Sequence, residues 1–167
     1  MVKHFDISGK NIIITGAARG IGKGIIRVLV ESGANVLCTA LTDVYLNKLA
    51  EELNLKGFNI EVLATDNTTV SGWDNTINLA LQKWGKIDVL INNAGFHERG
   101  AAESITIADL CMMIDVNLKA PIVLSRLALS YLRQSGDGAI VNVGSFQNRD
   151  QSLCVFLMTQ SCLKLLE

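Results

Sequence analysis

The sequence nowhere runs eighteen apolar residues together, so it offers no segment of the length a bilayer requires. Its N-terminus opens with Lys3, His4 and Asp6 and lacks the apolar centre of a signal peptide, which gives the expectation of a soluble, cytoplasmic protein. Charge of one sign is also missing: 15 Lys and Arg stand against 16 Asp and Glu, a formal net charge of −1. That balance supplies no long-range attraction for nucleic acid or an anionic membrane. The cysteines at Cys38, Cys111, Cys154 and Cys162 form no C-x-x-C pair, and His4 and His97 lie far apart, so no metal site or disulfide is expected. Proline occurs once and no low-complexity tract is present, so the 167 residues read as a single domain, 1–167, with no linker.

What is present is an alternation. Apolar, strand-like runs recur near 11–15, 34–39, 59–64, 87–92 and 138–144, and helical patterns fill 20–32, 44–55, 70–84 and 105–134. Gly33, Gly57, Gly85 and Gly136 stand where each helix should stop. Strands joined by helices predict crossover connections and a doubly wound, parallel α/β sheet of Rossmann type with about five strands. A ligand then belongs at the carboxyl ends of the strands, where the winding reverses.

The first of those ends carries Thr15-Gly16-Ala17-Ala18-Arg19-Gly20-Ile21-Gly22 between the strand Asn11-Ile12-Ile13-Ile14 and a helix that is apolar at Ile21, Ile25, Val28 and Leu29. A glycine turn opening a helix leaves backbone N–H groups free and adds the positive end of the helix dipole, which makes an anion site suited to a pyrophosphate. A turn that binds nothing is the alternative, and the flanking strand and helix argue against it.

Taken with Asp66-Asn67 after the third strand, Asn92-Asn93-Ala94-Gly95 after the fourth, Asn117 in the long helical region and Ser145 after the fifth strand, this chain resembles the short-chain dehydrogenase/reductase family. The order of motifs over about residues 5–146 looks most like the β-ketoacyl-reductase-like branch. By that resemblance Gly16, Ala17, Ala18 and Arg19, with Gly20, Ile21 and Gly22, hold the cofactor phosphates. Asp66 bonds the adenine amino group with the Asn67 backbone beside it, and Asn93, Ala94 and Gly95 line the ribose and pyrophosphate. Asn92 is expected to tie strands together. A loop Asp that accepts only local N–H bonds is the plainer reading of Asp66. After the second strand stands Ala40, followed by Leu41 and Thr42, so no acid there repels a 2′-phosphate, and Arg19 offers it a cation. The resemblance therefore favours NADP(H) over NAD(H), with a solvated Arg19 as the alternative.

Family chemistry uses a Tyr as proton donor, a Lys one turn on, a Ser that holds the substrate oxygen and an Asn that anchors a water relay. Asn117 fits that Asn and Ser145 that Ser, although a helix-kink Asn and a strand-end Ser would look the same. The family register puts Met158 at the Tyr position and Cys162 at the Lys position. Methionine has no proton to give, and Lys164 lies about 200° round the helix from Cys162. The pattern also stops at Glu167, where the resemblance implies further strands, a nicotinamide cover and a substrate lid.

Three readings follow from the sequence: an NADP(H)-binding module of this fold with impaired catalysis, an active oxidoreductase seen in truncated or altered form, and a structural partner of a related full-length subunit. The resemblance places oligomer contacts on the helices near 105–134 and 153–166, so a homo-oligomer is compatible with each. The missing lid leaves the substrate unnamed.

Overall fold

A computed structural model describes residues 6–58, 60–98 and 102–144. The strand Asn11–Thr15 (β1) is buried at every position, because parallel neighbours hold both its edges and helices cover both its faces. That is why its sequence runs apolar without alternation. On its flanks pair β2 (Asn35–Ala40) and β4 (Val89–Asn92), and outside them β3 (Ile60–Ala64) and β5 (Ala139–Asn142), giving the order β3-β2-β1-β4-β5, all parallel. The doubly wound sheet expected from the alternation is therefore present, with strand and helix bounds within two residues for most elements.

Successive side chains of a strand point to opposite faces, and the core divides accordingly. Ile12, Ile14, Val36 and Cys38 pack with Ile26 and Val30 of α1 (Gly20–Glu31) and with Leu46, Leu49 and Leu53 of α2 (Asp43–Asn54). Ile13, Leu37 and Leu90 face the other layer, against Trp73 and Ile77 of α3 (Val70–Trp84) and Leu124 and Leu132 of α5 (Ala120–Gln134). The four glycines expected to stop helices, Gly33, Gly57, Gly85 and Gly136, all take φ between +70° and +83°, the left-handed turn that ends a helix.

The chain winds outward from β1 through α1 and α2 to β3, then returns through α3 to β4 on the other side of β1. The loops after β1 and β4 consequently diverge and open a crevice at the carboxyl ends, the switch point of such sheets.

One expectation is corrected. The helical region near 105–134 is not one α-helix: a short 3-10 turn at 102–104 and α4 (Ile107–Ile114) precede a π-helical segment, Asp115–Lys119, which feeds α5. The reason is Pro121, which lacks the N–H that an α-helix would direct at the Asn117 carbonyl and whose ring crowds that carbonyl. A wider turn relieves both, and Ala120 N–H accordingly reaches back to the Asp115 carbonyl.

Candidate functional site

A cleft of about 910 Å³ lies along the carboxyl ends of the strands, from the loops after β2 and β3, past the glycine turn, to α4 and α5. At its centre the chain leaves β1 through Gly16 and enters α1 at Gly20. Arg19 is the N-cap in extended conformation and its side chain does not cap the helix; no acidic residue stands in the first turn. By contrast α3 and α4 are capped, Thr69 Oγ1 accepting from Gly72 N–H and Thr106 Oγ1 from Asp109 N–H. The N–H groups at the start of α1 thus face the cleft with their partial positive charge unopposed.

The three glycines of the turn do different work. A Cβ on Gly16 would lie 2.5 Å from Ala94 Cα, and one on Gly22 would lie 2.6 Å from both Asn93 Nδ2 and the Gly16 carbonyl. These two glycines let the turn press against the loop after β4. At Gly20, with φ +56°, an added Cβ meets nothing within 4 Å, so this glycine serves backbone conformation.

Hydrogen bonds hold the two loops in that contact. Thr15 Oγ1 accepts from the N–H groups of Asn93 and Ala94, while Asn93 Nδ2 donates to the Thr15 and Gly16 carbonyls at 3.0 Å each. The Asn93 side chain is therefore a staple, and Ala94 and Gly95 supply the cleft wall beside it. Ala17 does not face the cleft: its side chain is fully buried and its N–H is donated to the Thr39 carbonyl, pinning the turn to β2. Ala18, Arg19 and Ile21 do line it. The Arg19 guanidinium is exposed and makes no ion pair or hydrogen bond among the described residues.

At one end of the cleft stand Leu41, Thr42 and Tyr45, with Asp66 and Asn67 opposite. Asp66 Oδ1 accepts from Thr68 N–H at 2.8 Å and from Thr68 Oγ1 at 2.7 Å, the local turn bonding of an Asx residue. Asn67 is fixed on three sides: Nδ2 donates to Thr39 Oγ1, Oδ1 accepts from Thr76 Oγ1, and its carbonyl accepts from the Trp73 indole N–H. Cys38 lies beneath this end in β2, where burial pushes its thiol up to about 12, so it is neutral and no nucleophile.

The other end is walled by Phe96, Met112, Val116, Pro121, Leu124 and Val143. Asn117 joins its two sides: Oδ1 accepts from Phe96 N–H and Nδ2 donates to the Phe96 carbonyl, both at 2.8 Å. The π-helical turn sets this reach, and Pro121 leaves the Asn117 carbonyl without its α-helical donor. Sequence reasoning missed Pro121, although a proline four residues after a polar helical residue was the visible signal. Asn92, as expected, ties strands: its Nδ2 donates to Asn142 Oδ1 of β5 at 2.8 Å and to Ser125 Oγ of α5 at 3.3 Å. Ser145, Met158 and Cys162 lie outside the described residues. Among the described residues no group of His, Cys, Asp and Glu could hold a metal ion, and no helix is long and apolar enough to cross a membrane.

Comparison with known proteins locates this arrangement. A family model described as short chain dehydrogenase matches residues 10–157. Ketoacyl reductase HetN of Nostoc sp. is 31% identical over 143 residues, covering 86% of this chain and 50% of that protein. Oxidoreductase BOA17 of Botryotinia fuckeliana is 33% identical over 137 residues, covering 81% and 49%. The solved structure of a Serratia marcescens short-chain dehydrogenase/reductase variant superposes with a TM-score of 0.77 at 27% identity, covering 84% of this chain and 57% of that one. The chain spans about half the length of the curated relatives it matches.

Proposed function

The chain belongs to the short-chain dehydrogenase family, whose members are NAD(P)(H)-dependent oxidoreductases, and on that premise we propose that its cleft holds NADP(H) in preference to NAD(H). The observation that carries the reading is the uncapped start of α1, where Ala18, Arg19, Ile21 and Gly22 line the cleft. A pyrophosphate there accepts N–H bonds that no side chain takes. Asp66, Asn67, Ala94 and Gly95 border the path of the adenosine half, and Asp66 Oδ2 is the carboxylate oxygen left for a base amino group. The preference for the 2′-phosphate rests on Arg19, whose guanidinium has no partner among the described residues, and on Ala40, which puts no carboxylate directly after β2. The first carboxylate after β2 is Asp43, in the first turn of α2.

When bound, the nicotinamide supplies or accepts a hydride. Proton transfer to match it needs a donor at the substrate oxygen, and the family register sets Met158 and Cys162 where the Tyr and Lys stand. Neither replaces a tuned phenol, so we assign this chain cofactor binding with impaired carbonyl turnover. The Asn117 staple, which holds the helix against the Phe96 backbone, favours a second reading, an active NADPH-dependent carbonyl or alcohol oxidoreductase. A third, pairing with another subunit of the fold, is favoured by α4, which is apolar at all but one position and buries none of its residues.

Cofactor titration followed through Trp fluorescence decides the first point, because the Trp73 indole is anchored to the Asn67 carbonyl beneath the adenosine end. The expected result is saturable binding with NADPH about tenfold tighter than NADH, a difference of about 1.4 kcal/mol. Equal affinities would overturn the preference, and no saturation by either would overturn the cofactor reading. Ketone reduction by NADPH at about 1 s⁻¹ or faster, within the ordinary enzyme range, would overturn impaired turnover.

A further inference from the structure

Tyrosine is scarce in this chain, and its two copies are used in opposite ways. Tyr131 of α5 packs against the core layer that α3 and α5 share. Tyr45, in the first turn of α2, is 54% exposed and lines the end of the cleft beyond the glycine turn. Its next neighbour Leu46 is fully buried and points with Leu49 and Leu53 into the core, so Tyr45 stands about 100° round the helix, on the flank. Helical side chains lean toward the helix N-terminus, and the N-terminus of α2 is at the carboxyl end of β2. The ring is thereby carried over the cleft mouth. Beside it Leu41 is 72% exposed, and the two line the same cleft as Asp66 and Asn67. The Tyr45 hydroxyl has no hydrogen-bond partner among the described residues.

We propose that Tyr45 covers the adenine ring of the bound dinucleotide, with Leu41 extending the same wall, and that this contact sets affinity for the base independently of the 2′-phosphate. The inference rests on the dinucleotide reading of the cleft. A flat aromatic face recognises a flat base by area and stacking, whereas Arg19 recognises charge. The two residues act on separate parts of one ligand. Removal of the Tyr45 ring weakens NADPH and NADH by the same factor, while removal of the Arg19 guanidinium weakens NADPH alone.

The test uses the full chain and calorimetric titration with NADPH and NADH. Tyr45→Ala is expected to weaken both by about tenfold, the usual scale of one base–aromatic contact, and Tyr45→Phe, which keeps the ring and discards the hydroxyl, to stay within about twofold of the parent. Because only Tyr45 and Tyr131 occur, ring proton signals are assignable from the Phe variant alone. Saturating NADH should move the Tyr45 ring signals through the base ring current and leave those of Tyr131 in place. Tyr45→Ala with unchanged affinity, a loss confined to NADPH, or unmoved Tyr45 signals at saturation would each overturn the inference while the cofactor reading stands. A parent chain that binds neither dinucleotide overturns both.

Discussion

The two ends of the cleft are built on different principles. Toward the glycine turn, the walls are loops locked to one another by backbone and side-chain hydrogen bonds: Thr15 and Asn93 join the turn to β4, Ala17 joins it to β2, and Asn67 is held by Thr39, Thr76 and Trp73. Toward α4 and α5 the wall is apolar, and Asn117 is the residue that ties the β4 loop to the helix. The first end is preorganised to hold a rigid, charged ligand; the second depends on a helix whose apolar residues are not buried. On the proposed function, holding a cofactor and using it draw on separable parts of the chain.

The sharpest way to break this contrast is through the glycines. Gly16→Ala forces a Cβ to 2.5 Å from a backbone carbon at φ +65°, so neither neighbour nor conformation can yield cheaply. It should lower unfolding free energy by roughly 3 kcal/mol and abolish cofactor binding, read by urea unfolding and titration. Gly20→Ala has open space and only the φ penalty, about 1 kcal/mol of stability, yet strain at the first residue of α1 tilts the N–H groups of the turn and should cut dinucleotide affinity severalfold. If Gly20→Ala unfolds the chain as Gly16→Ala does, the division of labour among the glycines is wrong.

Next in size come the two asparagine staples. Asn93→Ala and Asn117→Ala each strand partly buried backbone groups and should cost about 1–3 kcal/mol. Only Asn93→Ala should weaken adenosine 2′,5′-bisphosphate, a ligand confined to the first end. Equal losses would show that the two ends are mechanically one. Smaller again is Arg19→Ala, with NADPH affinity falling about tenfold, NADH unchanged, and the difference shrinking as salt is raised.

The first end was also the more legible in the sequence, for a physical reason. Strands, crossovers and stops at Gly33, Gly57, Gly85 and Gly136 follow from periodicity and turn chemistry, both local properties. The glycine turn announces itself in eight residues. What local pattern does not carry is which groups meet across the sheet: that Ala17 points inward, that Asn93 staples loops, and that Asn67 is held by Thr39 and Thr76. The same limit hid the π-helical segment, since the chain shows Pro121 but not that the wider turn before it would set the Asn117 side chain against the Phe96 backbone.

Two thiols test the contrast at the smallest perturbation, one in the sheet and one on α4. Cys38 is sealed in β2 under the end proposed for the adenosine, and Cys111 is exposed on α4. At neutral pH iodoacetamide should label Cys111 and spare Cys38, read by peptide mass mapping. The Cys38 pKa, raised from 9.0 to about 12 by burial, adds a pH signature of defined sign. The neutral thiol is favoured in the folded state, so its contribution is fully present below pH 9.0 and is lost as pH rises through about 12. Between those limits the parent should lose up to about 1.4 kcal/mol per pH unit more than Cys38→Ala does, with no difference in slope at neutral pH. Rapid labelling of Cys38 in the folded chain, or parallel alkaline slopes, would mean that the adenosine end opens as readily as α4 and that its preorganisation has been overstated.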